Sequence, residues 1–154
     1  MTMITSNPRR VGTLIETLHP KDTNPDGQIF GGVIMSIMDK TAGVAGWGYA
    51  KKRVVTASAE RITFHSPVLV GEVVKSTATV VYTGRTSMDV EVVVEVENLI
   101  ADTSRLGASG VFTMVALNDE GRPATIPQWV PVDNEDLVKF NQAKDRRRQR
   151  RQKE

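Results

Sequence analysis

The chain has 154 residues, of which 40% are hydrophobic and 25% are charged, and this length and composition indicate one globular domain. It has no cysteine and no apolar run long enough for a membrane span, which excludes disulfides, thiolate metal sites and a cysteine nucleophile and fits a cytosolic protein. Residues 144–154 hold seven basic and two acidic residues, which leaves 13 basic and 16 acidic residues elsewhere, so the net charge of +2 comes from this tail and not from the domain.

The amino-terminal residues divide into a leader and a first strand. Residues 1–10 are predicted to be an expression leader outside the folded domain, because MTMIT resembles the start of a cloning-vector fragment. Residues 11–18, VGTLIETL, predict a strand. The folded domain is therefore expected over residues 11–132, followed by a polar helix and basic tail over residues 133–154.

A turn and a long helix follow. NPDG at residues 24–27 is typical of a type I turn, since each residue occupies a position it favours. Residues 30–50 have helical length and are apolar over most of the helix circumference, so this helix should be buried. Gly43, Gly46 and Gly48 each cost about 1 kcal/mol relative to alanine. They are expected where another backbone passes close, or where the helix end loosens.

Period-two alternation predicts a long antiparallel sheet after the helix. The four strands expected are 54–66, 72–83, 86–97 and 103–117. In the third of these, one face is apolar and comprises Met88, Val90, Val92, Val94 and Val96. Gly84-Arg85 fits a hairpin turn before it.

These elements predict an α+β fold in which a long antiparallel sheet wraps around one central helix. Long strands with a charged face leave a sheet edge and an open surface, so at least a dimer is expected.

The carboxyl-terminal residues predict a polar helix over 133–150, with Asp133 as its N-cap. Its basic residues form either a solvated, frayed helix end or a contact for nucleic acid or other anionic phosphates. No aromatic residues are interleaved with them to stack on bases, so nucleic acid is not the expected partner.

Four segments, in this order along the chain, resemble the hot-dog-fold acyl-CoA thioesterases, and more narrowly the cytosolic acyl-CoA hydrolases with their short bacterial single-domain branch. They are HPKDTNPDGQIFGGVIMSIMD, RVVTASAERITFHSPVLVGEVV, GRTSMDVEVVVEVE and GVFTMVALNDEGRP. The resemblance covers residues 11–130 and implies a hot-dog fold that hydrolyses acyl-CoA to a carboxylic acid and CoA, with no separate cofactor. It also implies a homodimer with active sites between protomers, often assembled as a trimer of dimers.

The resemblance places a catalytic acid at Asp39, seven residues and two helical turns beyond Gly32 on nearly the same helix face. Asp39 would act as general base on water or attack the thioester directly to form an anhydride. The structural alternative is an acid satisfied by a hydrogen bond or lying on a polar strip.

Gly31 and Gly32 are expected at the helix start, where free N–H groups could hold the oxyanion. The alternative is a simple loop-to-helix junction. The family motif has an asparagine as the partner of the acid, and that role falls on Asn24, serving the acid of the other protomer. As the first residue of a turn, Asn24 also has an ordinary structural role.

Residues for the CoA moiety are expected in two places, and each has an ordinary structural alternative. The turn offers a cation and hydroxyls for a phosphate or nucleotide, from Gly84, Arg85, Thr86 and Ser87. The resemblance suggests that Arg53, Thr56 and Ser58 line the pantetheine channel. His19 and His65, the only histidines, do not make a zinc site, and no metal is expected.

Two rival functions remain open at this point. One is a non-catalytic acyl-CoA sensor on the same fold, although a sensor does not need Asn24, Asp39 and the glycine pair together. The other is a hot-dog dehydratase for hydroxyacyl thioesters, which would pair an acid with a histidine. No histidine lies near Asp39 in the sequence.

Overall fold

A computed structural model describes residues 10–154, so the predicted leader lies outside the described residues except for Arg10. The elements in chain order are β1 (Val11–Thr17), a 3-10 helix (Pro20–Asp22), α1 (Gly31–Ala50), β2 (Arg53–Phe64), β3 (Val73–Thr83), β4 (Ser87–Asn98), β5 (Thr103–Leu117) and α2 (Asn134–Gln152). Every predicted helix and strand is present within a few residues of its expected bounds. Within the described part of the chain, neither helix is apolar enough over sufficient length to cross a membrane.

The strands form one antiparallel sheet in the order β1-β3-β4-β5-β2. The predicted hairpin turn joins β3 to β4, and the Gly84 N–H donates to the Ser87 carbonyl at 2.7 Å. Helix α1 packs on the inner face and contacts all five strands. The predicted α+β architecture of a long sheet around one central helix is therefore confirmed.

The core lies between α1 and the inner face of the sheet. The apolar face predicted for β4 is completely buried, at Met88, Val90, Val92, Val94 and Val96. From α1, the core receives Ile34, Ile37, Met38, Ala42, Ala45 and Tyr49. Burial of apolar surface contributes roughly 25 cal/mol of favourable free energy per Å². This burial fixes the helix against the sheet.

Helix α1 is open on one side, which the sequence did not predict. Met35 and Trp47 are 37% and 55% exposed, and Asp39 is also exposed. The sheet of one protomer therefore covers only part of the helix circumference. The same side continues into β2, an edge strand whose Phe64 is 51% exposed and whose Thr56 is also exposed.

A close backbone approach occurs on the opposite side of α1, where β1 crosses the helix. A Cβ at Gly12 would lie 2.8 Å from the backbone nitrogen of Ala45. The glycine that permits the approach is therefore in the strand. In the helix, a Cβ at Gly46 would lie 3.0 Å from the Val54 side chain, whereas a Cβ at Gly43 would meet nothing within 4 Å.

Helix α2 covers the outer face of the sheet, and Asp133 caps it as predicted, accepting from the Asp136 N–H at 2.8 Å. Phe140 packs against Tyr82 with ring centroids 4.9 Å apart. Arg10 pairs with Asp136 at 2.7 Å and lies over the Trp129 ring. The prediction of a solvated, frayed end is wrong for this helix, because several of its cations are packed on the sheet.

Candidate active site

The loop before α1 is shaped by the side chain of Asn24. Its Oδ1 accepts from the backbone N–H groups of Asp26 at 3.0 Å and Gln28 at 3.1 Å, and the Gly27 N–H donates to the Asn24 carbonyl at 3.0 Å. The predicted turn at residues 24–27 is thus confirmed. These bonds fix the carboxamide orientation, and within residues 10–154 its Nδ2 has no acceptor. A donor is left available beside the start of the helix.

The helix begins at Gly31, as the sequence predicted. The Val33 and Ile34 N–H groups donate to the Phe30 carbonyl, whereas the N–H groups of Gly31 and Gly32 find no acceptor among the described residues. Such first-turn N–H groups carry the positive end of the helix dipole and favour an oxyanion.

Asn24 and Gly31 line one groove of about 430 Å³. Its apolar wall includes Ile29, Ile34, Val68 and Phe64, and Phe64 lies close to Gly31, because a Cβ there would be 3.1 Å from the ring. His65 also lines this groove, and its Nε2 is 2.8 Å from the Ser109 hydroxyl. Gly32 opens instead into a neighbouring cavity of about 460 Å³ beside β1.

Asp39 lies on the open side of α1, next to β2. The hydroxyl of Thr56 donates to its Oδ1 at 2.5 Å and is 3.5 Å from the Met114 sulfur. No ion pair joins this carboxylate to a cation in the described part of the chain. An acid with one oxygen fixed and no counter-ion retains the capacity to accept a proton or attack a carbon.

A single protomer does not bring Asp39 to the groove of Asn24 and Gly31. Eight helical residues separate Gly31 from Asp39, which corresponds to about 12 Å along the helix axis. Within one protomer, the Asp39 carboxylate is therefore separate from the groove that Asn24 and Gly31 line.

The residues expected to contact CoA fall into different places. Thr56 is at Asp39, whereas Ser58 faces α2 on the outer side and accepts from Arg150 Nη1 at 3.3 Å. Arg53 lines a separate cleft of about 390 Å³ with Lys51 and Lys52.

The β3–β4 turn is bonded to two later segments, one of which is the basic tail that was expected to be solvated. The Ser87 hydroxyl accepts from Arg147 Nη1 at 2.9 Å, and the Gly84 carbonyl accepts from Gln128 Nε2 at 2.9 Å. Thr86 accepts from the Ala116 N–H through its carbonyl, and Arg85 is exposed. Thus Arg85 is the group of this turn that is free to meet a solvent-borne anion.

Sequence reasoning missed Asp89, a carboxylate with no exposed surface beneath α2. Its Oδ1 accepts from Arg147 Nε and Nη2, at 3.1 and 2.8 Å, and from the Thr113 hydroxyl at 3.0 Å. Its Oδ2 is 3.9 Å from Arg146 Nη2. Strand alternation marks Asp89 only as outward-facing, so no signal in β4 distinguishes it from the glutamates around it.

The pKa values of two groups, Tyr49 and Lys139, are raised by their surroundings. Desolvation raises the pKa of Tyr49, whose hydroxyl donates to the Pro127 carbonyl at 2.8 Å, and a smaller opposing effect comes from Arg10. Desolvation lowers the pKa of Lys139, but hydrogen bonds and attraction from Glu91 and Glu135 outweigh it and raise the pKa above its usual value. Both groups therefore keep their protons at neutral pH.

Comparison with known proteins gives consistent matches. The family model described as the thioesterase superfamily matches residues 26–100. The acyl-CoA thioester hydrolase YciA of Escherichia coli is 39% identical over 111 residues, which is 70% of this chain and 84% of that protein. The cytosolic acyl coenzyme A thioester hydrolase of Rattus norvegicus is 34% identical over 87% of this chain, but the chain spans only 36% of the rat protein's length.

Solved structures are similar over nearly the whole chain. An apo-hexameric acyl-CoA thioesterase superposes with a TM-score of 0.89 at 33% identity, covering 96% of this chain and 94% of that chain. The acyl-CoA hydrolase of Staphylococcus aureus, solved with butyryl coenzyme A and coenzyme A, has a TM-score of 0.85 at 29% identity, covering 96% and 90%. Structures of that enzyme also exist for alanine variants at one aspartate, one threonine and one asparagine.

Proposed function

Because the chain belongs to the hot-dog acyl-CoA thioester hydrolases of the thioesterase superfamily, we propose that it hydrolyses acyl-CoA to a carboxylic acid and CoA. The observation on which this rests is the Asp39 carboxylate, exposed on the open side of α1, bonded to Thr56 and free of any cation in residues 10–154. Thr56 fixes one carboxylate oxygen and no cation in this range neutralises the charge, so the other oxygen remains available for chemistry.

Asp39 supplies the base or the nucleophile. As general base, its free oxygen takes a proton from water while the water oxygen attacks the thioester carbonyl carbon. The carbon–sulfur bond then breaks, and the CoA thiolate leaves and is protonated. As nucleophile, the carboxylate attacks the carbonyl carbon, the carbon–sulfur bond breaks with departure of the CoA thiolate, and water then hydrolyses the acyl anhydride to the free acid and Asp39. Both routes use the Thr56 bond to Oδ1, which leaves Oδ2 facing the substrate.

The N–H groups of Gly31 and Gly32 are proposed to bind the oxyanion, and they are supported as donors by their lack of other acceptors among the described residues. Preorganised donors of this kind contribute about 3–4 kcal/mol each to the transition state. Gly31 lines the groove with the apolar wall, and this wall suits an acyl chain. The carboxamide of Asn24, held by its turn, is proposed to orient the attacking water or polarise the carbonyl.

A second copy of the chain is proposed to complete each site. The uncovered side of α1 and the adjoining face of the edge strand β2 form one exposed surface that contains Asp39, Thr56 and Phe64. Two edge strands can pair across a two-fold axis and cover both surfaces. The hexameric state of the similar thioesterase favours a trimer of such dimers.

The Staphylococcus aureus variants support the choice of residues. The positions replaced there are an asparagine, an aspartate and a threonine, and they are separated by the same numbers of residues as Asn24, Asp39 and Thr56. For the CoA moiety, Arg53 and Arg85 remain proposed contacts, because both are exposed, neither has an ion-pair partner among the described residues, and guanidinium groups bind phosphates well. Gly84, Thr86 and Ser87 would shape the turn at Arg85, and Ser58 is proposed to support the β2 backbone.

The direct test is release of free thiol from acyl-CoA substrates ranging from acetyl to palmitoyl. Steady release with at least one chain length is expected. Tight acyl-CoA binding without turnover at every length would contradict the hydrolase and favour a sensor. Hydration of crotonyl-CoA, followed in parallel by absorbance, would instead identify a dehydratase.

Mixing two inactive variants tests the shared site. Asn24→Ala alone is expected to lower kcat at least about tenfold, since losing one aligned hydrogen bond costs about 1.4 kcal/mol. When Asn24→Ala and Asp39→Asn protomers exchange in equal amounts, one site of each hybrid dimer regains both native residues. Thiol release should then recover to about a quarter of the wild-type rate, because half the dimers are hybrids and each has one intact site.

As a control, each variant is taken alone through the same subunit-exchange procedure. Native mass spectrometry of protomers carrying different mass tags measures how many hybrids form. A mixture that forms hybrids but has only the average activity of its two parents would show that Asn24 and Asp39 act within one protomer.

A further inference from the structure

The end of α2 places three arginines on the outer face of the sheet, directly behind the Asp39–Thr56 pair. We call Arg146, Arg147 and Arg150 the arginine clamp. Arg146 and Arg147 are only 12% and 13% exposed, and both lie at the buried Asp89 carboxylate. Thr113 donates to the same carboxylate at 3.0 Å, so β4 and β5 share one polar centre beneath the helix.

The third arginine reaches the neighbouring edge strand. Arg150 donates from Nη1 to the Ser58 hydroxyl at 3.3 Å and from Nη2 to Glu60 Oε1 at 2.8 Å. Ser58 is the β2 residue paired with Thr113, the β5 residue bonded to Asp89. The clamp therefore joins β4, β5 and β2 across the outer face through adjacent polar contacts.

Strand β2 is irregular at this point. Thr56 pairs with Met114, but Ser58 pairs with Thr113, so Ala57 is an extra residue that forms a β-bulge. In a regular strand Thr56 and Ser58 would face the same side. The bulge instead turns Thr56 inward to Asp39 and Ser58 outward to Arg150.

We propose that the arginine clamp is a positioning element of the active site. The clamp is anchored by Asp89 and contacts the bulge of β2 from the outer face of the sheet. By fixing the bulge, it keeps the Thr56 hydroxyl directed at Asp39. This inference rests on the proposed hydrolase function for its catalytic consequence, but not for its structural one. The most basic part of the chain then serves an intramolecular purpose, because Arg147 donates to Asp89 and Arg150 donates to Glu60. Arg146 lies 3.9 Å from the same Asp89 carboxylate without a hydrogen bond to it.

Two neighbouring arginines provide a matched comparison. Arg150→Gln removes the contacts to Ser58 and Glu60. Arg148→Gln removes the same charge at a side chain that is 72% exposed and pairs only with Asp145 in its own helix. Arg150→Gln is expected to lower kcat for thiol release about three- to tenfold with little change in KM, and Arg148→Gln to leave both unchanged. Glu60→Ala, which removes the acceptor of Arg150 Nη2 from the strand side, should reproduce the loss.

The route through Thr56 is tested by repeating the substitution in a Thr56→Ala background. If the clamp acts by aiming this hydroxyl, Arg150→Gln lowers kcat no further once the hydroxyl is absent. An equal loss in both backgrounds would overturn the proposal, as would activity of Arg150→Gln equal to that of Arg148→Gln.

Hydrogen exchange measured by mass spectrometry gives a readout that does not depend on activity. Faster exchange over residues 55–60 is expected in Arg150→Gln than in Arg148→Gln. Unchanged exchange there would overturn the clamp even if activity fell. Conversely, if the two variants differ in exchange but the wild-type protein releases no thiol from any acyl-CoA, the clamp is supported and the hydrolase function is rejected.

Discussion

Asp39→Asn should reduce kcat for thiol release by roughly a thousandfold, the scale of a lost general base, while the protein stays folded. An amide can neither accept a proton from water nor attack a thioester at neutral pH. It can still accept the Thr56 hydrogen bond through its oxygen, so the local geometry survives. The side chain is exposed and pairs with no cation in the described residues, so its replacement should cost little stability.

Asp102→Asn is the matched control for this substitution. Asp102 lies in the turn between β4 and β5 with a φ of 52°, a left-handed conformation that asparagine accepts well. The thiol-release activity of Asp102→Asn should equal that of the wild type. Circular dichroism establishes that both variants are folded, and calorimetry establishes that Asp39→Asn still binds CoA. Undiminished turnover in the folded Asp39→Asn protein would reject the mechanism.

The inner side of this site could be predicted from the sequence because it depends on short-range rules. The period-two pattern of β4 fixed which of its side chains enter the core, since successive residues of a strand face opposite sides. The loop ending in two glycines indicated where α1 begins. Both features are properties of a few neighbouring residues and need no knowledge of the partner elements.

The outer side could not be predicted, because it depends on contacts between distant segments. Asp89 and Glu91 occupy equivalent outward positions, yet one is completely buried and the other is partly exposed. What differs is the part of α2 above each residue: the largely buried Arg147, 58 residues later in the chain, reaches Asp89, whereas the partly exposed Lys139 reaches Glu91. The bulge at Ala57 is similar, because an extra residue in an edge strand leaves no mark in a run of alternating side chains.

Asp89→Asn is expected to be the most destabilising conservative change in the described part of the chain. It leaves Arg146 and Arg147 largely buried without the carboxylate that both approach. Breaking a buried charge pair from one side costs about 3–5 kcal/mol, because the remaining charge stays desolvated. The free energy of unfolding, measured by urea titration at a fixed protomer concentration, should fall by that amount.

Glu91→Gln is the control on the same strand and face. Glu91 pairs with Lys139 of the same helix, but both side chains are 31% exposed. Solvent screens such a pair, so its loss should cost no more than about 1 kcal/mol. Adding Arg147→Met to Asp89→Asn should restore part of the lost stability, because it removes the cation left without its partner. Equal losses for Asp89→Asn and Glu91→Gln would mean that burial does not set the strength of these pairs, and that α2 is held to the sheet chiefly by Phe140 and its aromatic neighbours.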